Sequence, residues 1–261
     1  MMLATDLSVT YGVTTVLQRA TLGVSSGELV GVSGANGAGK STLLRCLAGA
    51  STPSAGTISI GDQSFTDLKP EARARLVGYL PQRPRVEWPM PVEEVAALGR
   101  LPHQPWWQGV GATARSPEVN AALDACDVLH LSGRRVDTLS GGEFARVMMA
   151  RLLAGTHDVL IADEPISDLD PPHRVDVLNI LKSETRKGRA ALVALHDLAL
   201  AERFCDRVIV LLEGRVIAQG APETIFSPGV LARAFGAACR VARSDGHLIV
   251  TFDGSRPAAS A

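Results

Sequence analysis

The sequence contains no long hydrophobic run. A membrane-spanning helix needs about 20 consecutive apolar residues, whereas the longest clean apolar stretches here, residues 190–195 and 208–212, have the length of a strand. The first residues also lack the basic and then apolar pattern of a secretory signal peptide. We therefore expect a protein that stays in the cytoplasm and meets any membrane through a partner.

The sequence also lacks an excess of charge of either sign. Its 26 lysines and arginines nearly balance its 27 aspartates and glutamates, and the net charge is −1. Proteins that bind nucleic acid usually carry a basic surface, so we expect no nucleic acid partner. Four arginines at positions 73, 75, 83 and 85 could bind phosphate, but a solvated face or a partner contact is the favoured interpretation.

Cysteine is scarce and shows no paired spacing. The four cysteines are Cys46, Cys126, Cys205 and Cys239, and each has apolar neighbours in the sequence. This pattern predicts small buried thiols rather than a disulfide framework or a metal site.

Short apolar runs predict the strands of a parallel sheet. They cover residues 29–33, 159–162, 190–195 and 208–212. They do not alternate with polar residues, which is typical of strands that are buried on both faces. Segments with helical periodicity separate them, at residues 41–48, 142–154 and 172–187. The predicted fold class is therefore α/β with a parallel sheet.

Further strands are predicted near the two ends of this pattern. Residues 3–10 and 15–22 indicate a pair of strands that meet at a turn around Tyr11 and Gly12. Residues 208–212 and 215–218 indicate a hairpin with a two-residue turn. We expect these extra strands to form an antiparallel layer beside the parallel core.

The sequence has no internal repeat, and we predict one domain over residues 1–253. Its predicted parts are a core at 1–85 and 140–225, a helical subdomain at 86–139, an extension at 226–253 and a disordered tail at 254–261. The helical subdomain has a proline-rich entry, predicted helices at 92–98 and 119–131, and all three tryptophans, Trp88, Trp106 and Trp107. The extension is predicted to form a hairpin that turns at Asp245 and Gly246.

One glycine-rich segment matches the phosphate-binding loop G-x-x-x-x-G-K-[ST] in full. It consists of Gly34, Ala35, Asn36, Gly37, Ala38, Gly39, Lys40 and Ser41, and Thr42 follows it. It lies between a predicted strand and a predicted helix, which is the context that the motif requires. A helix N-terminus offers unpaired N–H groups to phosphate. We expect Lys40 to reach the β- and γ-phosphates of ATP, and the Ser41 hydroxyl to bind Mg²⁺.

Two adjacent carboxylates, Asp163 and Glu164, end the predicted strand at 159–162. Ligands of open α/β sheets bind at the carboxyl ends of the strands. Asp163 is therefore placed to hold Mg²⁺, and Glu164 to orient or deprotonate an attacking water. An acidic turn that merely ends the strand is the alternative, which the phosphate-binding loop makes less favourable.

One further segment separates this chain from other proteins that have a phosphate-binding loop. It consists of Leu139, Ser140, Gly141, Gly142 and Glu143. It resembles the L-S-G-G-Q signature of the ABC ATPase family, which implies a RecA-like core, an antiparallel β subdomain and a helical insertion. The resemblance also implies that two cassettes pair head to tail, so that Ser140 to Glu143 cover the γ-phosphate on the opposite subunit's loop. A lone S-G-G would more often be a helix cap.

Other positions follow the family order. The resemblance implies that Tyr11 stacks on adenine, that Gln82 senses Mg²⁺ and the attacking water, and that His196 contacts the γ-phosphate. It also implies that residues 167–170 touch the partner subunit. Taken singly, Tyr11 could be a core or turn residue, Gln82 a solvated loop residue and His196 a structural histidine.

The resemblance covers about residues 3–228, with three departures. Glu143 replaces the usual glutamine, Phe144 and Ala145 replace the commoner basic or aromatic residue and glutamine, and Asp168 replaces a small residue. We expect these departures to leave ATP binding unaffected, and any effect to fall on the fine contacts at the signature and at the dimer seam.

Residues 92–103 resemble the importer cassettes for iron-siderophore, haem and cobalamin. The sequence thus predicts the ATP-hydrolysing subunit of a bacterial importer, on the cytoplasmic face of the inner membrane. The implied partners are a second cassette, integral membrane permease subunits and, indirectly, a substrate-binding protein. Trp106 and Trp107 either pack locally or help to receive the permease. The alternatives are a cassette of another importer or of an exporter, and a non-transport ABC ATPase.

Overall fold

The structure is a computed structural model that describes residues 1–105, 107–167, 169–244 and 247–253. Among these residues, no helix is both long and apolar enough to cross a lipid bilayer. Predictions for Trp106, for Asp168, for the turn at Asp245 and Gly246, and for the tail at 254–261 lie outside the described residues.

The chain alternates between strands and helices. The strands are β1 (Met2–Tyr11), β2 (Thr14–Val24), β3 (Leu29–Ser33), β4 (Ala55–Ile60), β5 (Gln63–Ser64), β6 (Val77–Leu80), β7 (Val159–Asp163), β8 (Ala190–Ala194), β9 (Arg207–Leu212), β10 (Arg215–Gly220), β11 (Cys239–Ser244) and β12 (His247–Phe252). The helices are α1 (Lys40–Leu47), α2 (Pro70–Leu76), α3 (Val92–Ala97), α4 (Pro117–Ala125), α5 (Gly141–Ala154), α6 (Pro171–Arg186), α7 (Leu198–Phe204), α8 (Pro222–Ile225) and α9 (Pro228–Phe235). Short 3-10 turns cover Leu98–His103, Val110–Ala112, Leu129–Leu131 and Val136–Thr138.

The central sheet has the strand order β10-β9-β3-β8-β7-β6. Strands β9, β3, β8, β7 and β6 pair in parallel, and β10 adds an antiparallel edge. A second sheet, with the order β2-β1-β4-β5, is antiparallel throughout. Because parallel neighbours end at the same edge, the residues that follow β3, β6, β7 and β8 converge there.

The central sheet is buried on both faces because successive side chains of a strand point to opposite sides. Leu160 and Ala162 on β7 belong to the core beneath helices α5 and α6. Ile161, which lies between them, belongs to the core beneath α1 and the antiparallel sheet. This double burial explains the apolar runs without alternation, and it holds the ends of the strands rigidly.

Most predicted elements are confirmed within one or two residues, but two predictions were wrong. The helix predicted over 119–131 ends at Ala125, because Asp127 has a left-handed backbone (φ 52°) that interrupts it, and a 3-10 turn follows. The strand at Arg215–Gly220 belongs to the central sheet, where it pairs with β9, and not to the antiparallel layer. Cys46, Cys126 and Cys205 are buried free thiols, as predicted, and Cys239 is partly buried.

The described residues between Val92 and Thr138 contain α-helices and 3-10 turns. Helices α3 and α4 both pack on α5, which begins at the signature. Trp88 and Trp107 are each more than 70% exposed. The domain boundaries at residues 86, 140 and 226 stay predictions.

His157 lies in a tight space between Gly78 on β6 of the central sheet, Gly155 at the end of α5, and His103 in the 3-10 turn that follows α3. It is 5% exposed, and its Nδ1 is 3.3 Å from the carbonyl oxygen of Arg75. Gly78 on β6 has no side chain because a Cβ at that position would collide with the imidazole. The pKa of His157 is lowered to about 4, mainly by burial; the hydrogen bond to the Arg75 carbonyl opposes this effect, and the charges of His103 and Arg189 add to it.

We predict that His157 makes the protein sensitive to mild acid. Its pKa is lower in the folded state than the ordinary value near 6.5, so protonation favours unfolding. The stability that the neutral ring contributes is complete above about pH 6.5 and is lost as the pH falls to about 4, with a total loss of about 3 kcal/mol. Urea unfolding between pH 7.5 and 4 measures this slope.

In the variant His157→Phe, the free energy of unfolding should fall by about 3 kcal/mol less between pH 7.5 and 4 than it does in the wild type. The exposed control His130→Gln should show the same pH dependence as the wild type. An unchanged slope in His157→Phe would contradict the assignment.

Candidate functional site

The phosphate-binding loop connects β3 to α1 at the carboxyl edge of the central sheet. Its first glycine, Gly34, has a φ of 147° and lies so close to the carbonyl of Leu211 that a Cβ would collide with that oxygen. The Lys40 ammonium donates hydrogen bonds to the carbonyls of Gly34 and Ala35, at 2.8 and 3.1 Å. The loop therefore folds around the lysine.

Lys40 is a buried cation, with 6% of its surface exposed. Burial lowers its pKa, and the nearby carboxylates of Glu164 and Asp163 oppose that effect. A buried ammonium group that is held mainly by neutral carbonyls can exchange them for an anionic ligand at little structural cost.

Asp163 lies at the end of β7 and is fully buried. Its carboxylate accepts a hydrogen bond from the Ser41 hydroxyl at 3.1 Å and one from the Tyr79 hydroxyl at 3.4 Å. Burial raises the pKa of Asp163, the hydrogen bond from Ser41 lowers it, and the neighbouring Glu164 raises it. The structure thus joins Ser41 and Asp163, which are 122 residues apart in sequence, in one oxygen-rich cluster.

Glu164 is the point at which three loops meet. The Gln82 amide donates a hydrogen bond to Oε2 at 2.6 Å, and His196 Nε2 lies 2.6 Å from Oε1. The Glu164 backbone is left-handed (φ 51°), which is unusual for a residue with a side chain. Its carbonyl accepts hydrogen bonds from the Ser167 backbone and hydroxyl. Backbone strain of this kind is frequent at functional sites.

A cleft of about 240 Å³ lies over the loop and reaches Glu164. It is lined by Val16, Asn36, Gly37, Gly39, Lys40, Ser41, Thr42, Gln82 and Glu164. Of the predicted loop residues, Gly34 and Ala38 are buried and do not line the cleft. Among the described residues that line the cleft, neither Tyr11 nor the signature is present. Tyr11 ends β1 and is 51% exposed, which excludes a core role.

Three site residues were not predicted from the sequence. Val16 lines the cleft from β2, Tyr79 holds Asp163, and Leu211 supports Gly34. None of these residue types signals such a role, because each acts through its position in the fold. The strand β6, which ends just before Gln82, was also missed, since it is only four residues long and contains Gly78.

The signature forms a complete helix start. Ser140 is the N-cap of α5, its hydroxyl accepts from the Glu143 backbone, and the Glu143 carboxylate accepts from the Ser140 backbone at 2.7 Å. This reciprocal pair is a capping box, in which glutamate and glutamine are both favourable. The Ser140 hydrogen bond lowers the pKa of Glu143. Glu143 therefore replaces the usual glutamine without a loss of local structure.

Comparison with known proteins agrees with this geometry. The family model described as ABC transporter matches residues 17–167. The chain belongs to the ABC transporter family. It is 40% identical over 245 residues to the hemin import ATP-binding protein HmuV of Bordetella avium, and the match covers 89% of this chain and 91% of that protein.

Other relatives extend the range of named substrates. The cobalamin import ATP-binding protein BtuD of Halobacterium salinarum is 37% identical over 234 residues, and the match covers 89% of this ABC cassette but 58% of that longer protein. Among solved structures, an ATP binding subunit of an ABC transporter has a TM-score of 0.75 at 29% identity, covering 91% of this chain and 95% of that one. A metal-chelate type ABC transporter in an inward-facing conformation has a TM-score of 0.80 at 22% identity, covers 96% of each chain, and supports the fold alone.

We predict that Ser140→Ala lowers the free energy of unfolding by about 1 kcal/mol, because it removes the N-cap acceptor of α5. The variant Glu143→Gln should retain the capping box and unfold as the wild type does. Urea unfolding of the three proteins checks this. If Glu143→Gln were destabilised as much as Ser140→Ala, the capping box would not account for the departure from the family sequence.

Proposed function

We propose that this chain is the ATP-hydrolysing subunit of an ABC importer, and that its nucleotide site is completed by a second copy. The observation that carries the proposal is the convergence of Lys40, the Ser41–Asp163 pair and the Glu164 cluster at one edge of the sheet. The loops that follow β3, β6, β7 and β8 supply these groups, and each group suits one step of phosphoryl transfer to water.

Lys40 binds the β- and γ-phosphates of ATP and exchanges its carbonyl partners for phosphate oxygens. The loop N–H groups at the start of α1 complete the anion site. The oxygen donors of Ser41, Asp163 and Gln82 fit Mg²⁺, which prefers hard oxygen ligands. When bound, Mg²⁺ would neutralise charge on the phosphates. The hydrogen bonds from Ser41 and Tyr79 hold the Asp163 carboxylate in an orientation that suits Mg²⁺ binding.

Glu164 orients the attacking water and takes its proton. Both of its carboxylate oxygens have partners at 2.6 Å, Gln82 and His196. A water that enters the cleft replaces one of these partners, and His196 is then free to donate to the γ-phosphate. Gln82 lies shortly before the helices and turns of residues 92–138, so its hydrogen bond links Glu164 to the start of that region.

The signature acts across a head-to-tail dimer of two copies. Ser140 to Glu143 do not line the cleft of their own chain, yet they present a hydroxyl and a helix N-terminus that suit a γ-phosphate. Tyr11 is exposed at the end of β1, where it can stack on an adenine base. A dimeric bacterial ABC cassette has the same fold, with a TM-score of 0.76 at 24% identity.

The membrane partner is a permease that delivers haem or a cobalamin-type cargo. The names of the HmuV and BtuD relatives support this cargo class, and the likeness of residues 92–103 to importer cassettes agrees with it. The exposed side chains of Trp88 and Trp107 belong to the permease-facing surface, at the cytoplasmic face of the cell membrane. A substrate-binding protein acts on the far side. Growth of a deletion strain on haem, cobalamin or ferric siderophore tests the cargo.

We predict that Lys40→Ala lowers ATP affinity and hydrolysis by at least about tenfold, because it removes a charge-assisted contact to phosphate. Equilibrium dialysis with Mg-ATP and a phosphate-release assay measure both effects. The exposed Lys69→Ala is the matched control and should behave as the wild type does. Wild-type hydrolysis by Lys40→Ala would contradict its role.

We predict that Glu164→Gln slows hydrolysis by about 10²–10⁴ while ATP still binds, because the amide is a poor base of nearly the same shape. The variant should collect as an ATP-bound dimer in size-exclusion chromatography with Mg-ATP, whereas the wild type stays mostly monomeric. The exposed Glu71→Gln serves as the control.

If Glu164→Gln hydrolyses ATP at the wild-type rate and forms no dimer, Glu164 is not the catalytic carboxylate. His196 is then the next candidate for the base.

A further inference from the structure

We propose that His173 is a positioning residue that fixes the signature helix α5 to helix α6. The proposal rests on the proposed function, in which the segments just before both helices face the partner copy. His173 lies in the first turn of α6, and its Nδ1 is 3.1 Å from Nη1 of Arg146, which lies in the second turn of α5. The two helices therefore meet through side chains at their N-terminal ends.

The ring of His173 also lies over the first turn of α5. A Cβ placed on Gly142, in the signature itself, would be 3.6 Å from Cδ2 of His173. The imidazole thus lies beside Gly142 and makes a hydrogen bond with Arg146, so it is close to the signature helix at two points.

Arg146 depends on this hydrogen bond. Its Nε is buried and has no hydrogen-bond partner among the described residues. A guanidinium group carries only donors, so it needs acceptors when water is excluded. Because Nε already lacks a partner, losing the acceptor at His173 would remove a further hydrogen bond from a partly buried guanidinium, so this contact matters more than an ordinary surface hydrogen bond.

The Nδ1 atom of His173 can serve only one of two neighbours at a time. Arg146 can only donate, so the bond to it requires a lone pair on Nδ1. Asp176, one turn further along α6, has Oδ2 at 3.4 Å from the same atom and can accept only from a protonated Nδ1. The hydrogen bond between α5 and α6 therefore exists when Nδ1 carries no proton, and a protonated Nδ1 donates instead to Asp176 on its own helix.

From α6, two further hydrogen bonds lead back to Glu164 at the end of β7. Arg174 donates from Nε to the carbonyl of Leu169 at 2.7 Å, which fixes the start of α6 to the preceding loop. Ser167 in that loop donates to the carbonyl of Glu164. His173 thus joins the signature helix to the segment that begins at Glu164, so the two partner-facing parts of one copy keep a fixed relative position.

The test uses the full chain in the Glu164→Gln background, where the ATP-bound dimer accumulates. In His173→Asn, Oδ1 takes the place of Nδ1 and can still accept from Arg146, whereas His173→Leu has similar volume and no acceptor. We expect His173→Leu to raise the dimer dissociation constant by about tenfold. We expect His173→Asn to stay within about threefold of the parent. ATP affinity of the monomer should be the same in all three proteins.

A double-mutant cycle with Arg146→Met separates positioning from general stability. The effect of His173→Leu on dimer formation should largely disappear in the Arg146→Met background, because the contact is already lost. The control Asp176→Ala should dimerise at least as well as the parent, because it removes the competing acceptor.

Each other outcome is decisive. The proposal is overturned if His173→Leu forms the dimer as well as the parent does. It is also overturned if His173→Leu lowers the melting temperature but leaves the dimer dissociation constant unchanged. An equal loss in His173→Asn and His173→Leu also overturns it. If the parent itself forms no ATP-dependent dimer, the proposed pairing of two copies fails in this background, and this inference fails with it.

Discussion

The carboxylate of Glu164 is the point on which the rest of the site depends. It is anchored to β7, a fully buried strand, and it meets side chains from the loops after β6 and β8. These loops converge because neighbouring parallel strands end at one edge, and double burial of the sheet keeps that edge in place. A displacement of β6 or β8 would therefore separate Gln82 or His196 from Glu164.

The same geometry explains why the sequence could predict which of these groups lie together at one edge of the sheet. The loop from Gly34 to Ser41 and the pair Asp163 and Glu164 are local motifs whose spacing already requires a strand followed by a turn. Their convergence followed from the prediction of a parallel sheet. The signature was placed at a helix start, and the structure has that start with a complete capping box.

The remaining features could not be predicted because they depend on contacts between distant segments. The short strand β6 carries Tyr79 to Asp163, yet four residues with a glycine do not signal a strand. The end of α4 depends on the left-handed backbone of Asp127, which propensity does not register. The edge position of β10 is decided by pairing with β9, and the hairpin pattern is the same in either sheet.

One copy of the chain contains a phosphate-binding loop and a signature, but the signature does not line the cleft over its own loop. In the proposed dimer, each hydrolysis site takes its loop from one copy and its signature from the other. The most direct test mixes two variants, Lys40→Ala with a defective loop and Ser140→Arg with a defective signature. In a mixed dimer, one of the two sites has both parts intact. Each variant alone should be inactive, and the equimolar mixture should recover about a quarter of the wild-type ATPase rate if pairing is random and the sites act independently. A mixture that remains as inactive as its components, although mixed dimers form, would contradict the account.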